Sequence, residues 1–194
     1  PPTPPPTSSS AESDVYKRQS DMFLGPMAMP FYQEIGFTKI QVAQITNFYG
    51  MWMTILGGLF AGLTLHRFGL VKNMIAGAIF VPLANIPFIF LNLIGNDVNF
   101  LIFTITVDNF SQGFISVVGI TFLSNMVSAT YTATQYALLY GLVVIPPNII
   151  SSGSGFVAEA YGFQNFFILC ALLGIPAIVL TLMVWQKREV FGFD

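Results

Sequence analysis

The stretch Phe100–Ser128 (FLIFTITVDNFSQGFISVVGITFLSNMVS) is long and apolar enough to cross a bilayer, yet it carries Asp108, Asn109 and Gln112 near its middle. A hydrocarbon core about 30 Å thick takes about 20 helical residues. An ionised carboxylate at that depth costs about 2.5–3.5 kcal/mol on insertion scales, so such a cluster should face protein, water or a ligand rather than lipid tails. Thr104, Asp108, Gln112 and Ser116 recur at every fourth position, with Ser111 beside them, which predicts one broad polar stripe along a helix. The chain is therefore expected to be an all-α membrane protein, with the remaining helices forming the wall around that stripe.

Composition agrees: of 194 residues 54% are hydrophobic and only 8% charged, against about 25% charged in an ordinary soluble domain. A net charge of −2 without a basic patch excludes nucleic acid as a partner. Cys170 is the single cysteine, in an apolar run, and reads as a packing residue. The sequence holds no phosphate loop, no Ser–His–Asp arrangement and no metal-ligand cluster, so neither an enzyme nor a cofactor is expected. The expected partners are the lipid bilayer and a small-molecule solute.

Residues Pro1–Gln19 are polar and rich in Pro and Ser, and by composition they should be disordered. Asp14–Gln19 (DVYKRQ) back-translates to a sequence resembling a transposon end used in sequencing libraries. We therefore set the segment aside as non-native and expect the fold to occupy 20–194. Ser20–Tyr32 is apolar but short, and reads as the latter half of a first helix, which places Asp21 inside a span. Gln33–Gln41 is a polar connection.

The next span, about Val42–Leu65, begins near Asn47 and has Gly50, Thr54, Gly58 and Gly62 at four-residue steps, a smooth ridge for close helix packing. A basic turn, His66–Lys72, follows. Asn73–Ile94 is interrupted by Pro82 and Pro87 around Asn85, and is expected to break there and free backbone groups at membrane depth. Gly95–Asn99 is an acidic turn, and Ala129–Thr134 a polar one. Gln135–Glu159 is the least regular span, broken by Pro146-Pro147-Asn148 and a Ser/Gly run, and carriers commonly build sites at such breaks. Ala160–Gln164 reads as a turn and Asn165–Trp185 as a last span. The count is a truncated first helix plus five transmembrane helices.

Several segments match a known pattern. Gly62-Leu63-Thr64-Leu65-His66-Arg67-Phe68-Gly69-Leu70-Val71-Lys72 is similar to the gating-loop signature of the major facilitator superfamily, with His66 in place of its usual acid and Gly62, Arg67, Gly69 and Lys72 at its other positions. Phe31-Tyr32, Gly36–Lys39, Met53–Gly58, Thr134–Leu139, Glu159–Phe163 and Gly174–Ala177, in that order and spacing, resemble the C-terminal half of the muropeptide permease (AmpG) family, which is also similar to acetyl-coenzyme A transporters. The resemblance covers about Ser20 to Gln186.

It implies the C-terminal half of a twelve-helix carrier of the bacterial inner membrane, lacking its N-terminal half here. The implied activity is proton-driven uptake of N-acetylglucosaminyl-anhydromuramyl peptides by alternating access. The family's acidic residue in the tenth helix falls on Asp108, followed by Asn109; members often carry a basic residue in the eleventh helix, where this chain has Asn148 nearby. Asp108 can then exchange a proton or accept hydrogen bonds from the solute. Asn109, Gln112, Asn85 and Asn47 line the same cavity, and Asp21, Asn148 and Gln135 are further candidates. The alternatives are the same fold moving acetyl-coenzyme A or a small sugar, or a non-transporting membrane scaffold in which the polar residues join helices.

Arg67, Lys72, Lys187 and Arg188 fall on one side of the spans and Lys39 on the other, which predicts a cytoplasmic C-terminus and cytoplasmic His66–Lys72, with Gln33–Gln41, Gly95–Asn99 and Ala160–Gln164 outside. A single cysteine at position 97 should react with an impermeant reagent applied outside the inner membrane. Reaction only after that membrane is permeabilised would overturn the orientation.

Overall fold

The structure, a computed structural model, describes residues 25–125, 133–138, 140, 141, 155, 156, 158–170 and 172. Four helices account for the continuous part: α1 (Gly25–Ile35), α2 (Lys39–Phe68), α3 (Leu70–Ile94) and α4 (Val98–Asn125). At 1.5 Å per residue, α2, α3 and α4 are about 45, 38 and 42 Å long, enough to cross a hydrocarbon core of about 30 Å. Among the described residues these three are long and apolar enough to do so. Asp21, Asn148, residues 1–19 and most of the two last expected spans lie outside the described residues.

Local chemistry sets the helix ends, and it makes the connections shorter than expected. Thr38 caps α2: its hydroxyl accepts the Gln41 N–H at 3.3 Å, while Gln41 Oε1 accepts the Thr38 N–H at 3.1 Å. The expected connection Gln33–Gln41 thereby shrinks to Gly36–Thr38, and α2 starts three residues before Val42. At the other end only Gly69, at φ 79, separates α2 from α3. That left-handed residue, whose N–H bonds Leu65 O at 3.0 Å, is a glycine-specific stop. His66 and Arg67 consequently sit in the last turn of α2, and Lys72 in the first turn of α3, rather than in a loop.

Gly95, at φ 87, stops α3 in the same way, and Asp97 Oδ1 caps α4 by accepting the N–H groups of Asn99 and Phe100 at 2.8 and 3.1 Å. Asn96 Nδ2 donates to Gly36 O at 2.9 Å, so the α1–α2 and α3–α4 connections meet at one end of the bundle, opposite Gly69. The α3 span runs unbroken from Leu70 through Pro82 and Pro87, contrary to the expected interruption. Each proline removes one helical hydrogen bond but holds a helical φ, which neighbouring helices can accommodate. The expected turn at Ala160–Gln164 also contracts: residues 158–170 are helical, with a single left-handed residue, Gly162 at φ 77.

The main contact is between α2 and α4. A Cβ added at Gly57 would land on the Phe110 carbonyl oxygen, and one added at Gly113 on the Thr54 carbonyl oxygen. The two backbones therefore touch. The expected ridge is partly wrong: Gly50 and Thr54 belong to the contact, Gly58 faces Val117, and Gly62 lies in open space. Residues four apart drift about 40° around an α-helix, so Gly62 is about 120° from Gly50, whereas the seven-residue step to Gly57 drifts only about 20°.

Within α2, Gln44–Tyr49 is wound as a π-helix. Val42 is buried in an aromatic cluster at the Gly36 end, and Gly50, Gly57 and Ala61 are buried further along α2. In a uniform α-helix Val42 would point about 80° away from Gly50, an offset close to the one residue per turn that a π segment takes up. The π turn thus keeps both buried stretches in phase.

Gly57→Ala and Gly113→Ala should each destabilise the purified protein, by about 1–3 kcal/mol typical of overpacking, read as a lower unfolding temperature in detergent. Gly62→Ala should not. Equal stability of all three variants would contradict the contact.

Candidate functional site

Successive residues of α4 are about 100° apart around its axis, and this divides its side chains among three faces. Thr106, Asn109, Phe110, Gly113 and Val117 face α2. Tyr49 Oη and Thr106 Oγ1 are 2.9 Å apart, Thr54 Oγ1 donates to Asn109 Oδ1 at 3.1 Å, and Gly50 lies against the Asn109 amide. Phe114, Ile115 and Val118 face α3: the Phe114 and Phe80 rings meet edge to face at 5.1 Å, Ile115 reaches Gly77, and Phe114 and Val118 share a cluster with Leu70 and Met74.

The third face, which carries Leu101, Ile105, Asp108 and Gln112, also meets α3, because Leu101 and Ile105 are buried with Phe88 and Leu91 of that helix. Leu101 and Ile105 are buried in the aromatic cluster that contains Phe31 and Tyr32 of α1, together with Phe37, Phe88, Phe166 and Phe167. Asp108 and Gln112 come next along the same face and are partly buried.

The predicted polar stripe therefore divides. Thr104 and Ser111 are buried and Ser116 is exposed, and each hydroxyl donates to the carbonyl four residues earlier, at 2.9, 2.7 and 2.7 Å. Such back-bonding satisfies a hydroxyl within its own helix. Asn109 is held on both sides, accepting from Thr54 and donating to Ile105 O at 3.1 Å, so it stands in the α2–α4 contact, whereas Asp108 and Gln112 stand outside it.

The other candidates are dispersed. Asn47 is exposed on the π turn of α2, Asn85 is partly buried between the two prolines of α3, and Gln135 is partly buried in the helical residues 133–138. At the far end of the bundle His66, Arg67, Gly69 and Lys72 are exposed, with the Arg67 guanidinium 5.6 Å from the Phe68 ring centroid. The Tyr49–Thr106 pair had no signal in the sequence: both are ordinary residues in apolar runs, and only the tertiary arrangement brings Tyr49 to α4. A partly buried carboxyl one helical turn from an amide, in a helix long and apolar enough to cross a membrane, can hold a proton or accept hydrogen bonds from a polar solute.

Comparison with known proteins bears on this arrangement. The profile of the Major Facilitator Superfamily matches residues 19–190. Among curated proteins, two named “Putative transporter AmpG 4”, from Rickettsia conorii and Rickettsia felis, are each 30% identical over 176 residues, covering 91% of this chain and 42% of the relative. An AmpG 1 protein so named in Rickettsia bellii is 27% identical over 175 residues, covering 90% of this chain and 43% of the relative. The chain thus spans about two fifths of the length of the curated relatives it matches. With its all-helical, multi-pass membrane architecture, the chain belongs to the major facilitator superfamily and is AmpG-like within it.

Proposed function

We propose that this chain acts within a longer secondary transporter of the bacterial inner membrane, which takes up cell-wall muropeptides with protons by alternating access. The observation that carries the reading is the place of Asp108. It sits in a membrane-spanning helix, off the α2 contact made through Thr106, Asn109 and Gly113, and one helical turn from Gln112. A bare carboxylate at such depth costs free energy, and proton uptake removes that cost. Proton binding and release at Asp108 can therefore bias which arrangement of the carrier is favoured, as coupling requires.

The solute assignment draws on the AmpG likeness, and the chemistry of the face is compatible with it. Muropeptides present many hydroxyl and amide donors, which a carboxylate and the Gln112 carbonyl oxygen can accept. The chain's lysines and arginines lie near helix ends or outside the spans, so an anionic group on the solute would be met by another part of the carrier. In this reading the protein is a carrier and catalyses no covalent step. Asn109 and Thr54 hold α2 to α4, and the C-terminus is cytoplasmic.

In the full-length carrier, Asp108→Asn should abolish proton-coupled uptake while membrane abundance stays near normal, because the amide fills the same space but exchanges no proton. Uptake of radiolabelled muropeptide into cells, measured over a range of external pH, checks this. Unchanged rate and pH dependence would remove Asp108 from coupling and leave it a packing role.

A further inference from the structure

Two stretches of α2 are fixed, and the wide turn between them is lightly held. From Gly50 onward the helix is fixed to α4 by the Asn109 amide lying against Gly50, by the Thr54–Asn109 bond and by the backbone contact at Gly57. Up to Ala43 it is held by the Thr38 cap, by Val42 in the aromatic cluster, and by the Asn96 Nδ2–Gly36 O bond to the α3–α4 connection. Between them lies the π turn Gln44–Tyr49, none of whose six residues is buried. A change of winding there disturbs little packing.

The wide winding shows at both ends of the turn. The Gly50 N–H bonds Ile45 O, five residues back, and Thr46 Oγ1 donates to Val42 O at 2.8 Å, where the ladder passes from four-residue to five-residue steps. One bond to another helix supports it. Thr106 has a single hydroxyl proton, which it gives to Ile102 O at 2.7 Å, so Tyr49 Oη is the donor in the 2.9 Å pair with Thr106 Oγ1. Tyr49 closes the π turn, so this bond pins the turn's last residue on α4.

The sequence also offers a second winding. Counted from Gly50 on a uniform α-helix, Gly57 and Ala61 lie at about 340° and 20°, Ala43 at about 20° and Val42 at about 280°. An α-wound turn thus takes Val42 off the buried face and puts the adjacent Ala43 there, one apolar residue in place of another. We propose that Gln44–Tyr49 is a register switch in α2, which interconverts between π and α windings and has the Tyr49–Thr106 hydrogen bond as the latch of the π form. Rewinding turns Lys39–Ala43 by about 80° around the helix axis and draws Gly36 away from Asn96, while Gly50–Phe68 stays on α4. The end of the bundle where the two connections meet is loosened without loss of the glycine contact. The switch is a property of α2 and α4, and depends neither on the solute nor on Asp108.

The test measures distances in the full-length carrier carrying Cys170→Ser, between spin labels attached at Ile40→Cys and Ile94→Cys, positions exposed on α2 and α3 at that end of the bundle. Double electron–electron resonance should give two distance components several ångströms apart. Tyr49→Phe keeps the ring but cannot donate, and Thr106→Val removes the acceptor. Each should move the ratio of the components about threefold in the same direction, the change expected on losing one interhelical bond of average strength in a membrane. Deleting Asn47 sets Val42 seven residues before Gly50, in phase on a plain α-helix, and should leave one component. A single component throughout, or a ratio that neither latch variant moves, would overturn the proposal. So would two components that persist after the deletion.

Discussion

The contact between the backbones of α2 and α4 is the constraint on which the described bundle depends. In lipid no hydrophobic gain draws two helices together, since the acyl chains are as apolar as the side chains. Association then rests on close packing and on polar bonds between helices. Here Gly57 meets the Phe110 carbonyl and Gly113 meets the Thr54 carbonyl, so neither glycine has room for a methyl group. Two interhelical hydrogen bonds, Tyr49–Thr106 and Thr54–Asn109, lie beside this contact. Bonds of this kind are worth about 0.6 kcal/mol on average in a membrane, so the packing carries most of the energy and the bonds fix the rotation of α4.

That rotation is what matters for Asp108. With one face of α4 held on α2, the acid and Gln112 are turned out of that contact, on the side where Leu101 and Ile105 pack with residues of α1 and α3. Asp108 and Asn109, adjacent in sequence, thus have separate surroundings. Asn109 joins helices and is held by Thr54 and Ile105. Asp108 is not part of that join, and in the proposed function it is the group that takes the proton or meets the solute. The π turn at Gln44–Tyr49 serves the same end, because it lets Val42 and Gly50 be buried together while Tyr49 reaches Thr106.

Much of this was legible in the sequence because it depends on local rules. The apolar lengths marked α2, α3 and α4 as spans, and the acid in an apolar run singled out Asp108. The helix ends were less legible: a capping box at Thr38 and a lone left-handed glycine at position 69 shorten the connections to one to three residues, where polarity alone suggested seven to nine. Four-residue spacing gave too regular a glycine ridge, since 3.6 residues per turn carries Gly62 off the contact while Gly57 stays on it. The role of Asn109 could not be read from spacing. It follows from which helix lies on which face, and that is a property of the assembled bundle.

The central proposal, that Asp108 is reached by water and solute in the full-length carrier, can be tested directly by cysteine chemistry. With native Cys170 replaced by serine, the full-length Asp108→Cys variant can be treated with a membrane-impermeant thiol reagent on either side of the membrane. A cysteine at the exposed position 97 serves as the positive control. The account predicts that the thiol at 108 reacts, and that a transported solute slows the reaction. A thiol at 108 that stays unreacted from both sides, while the one at 97 is modified, would contradict it.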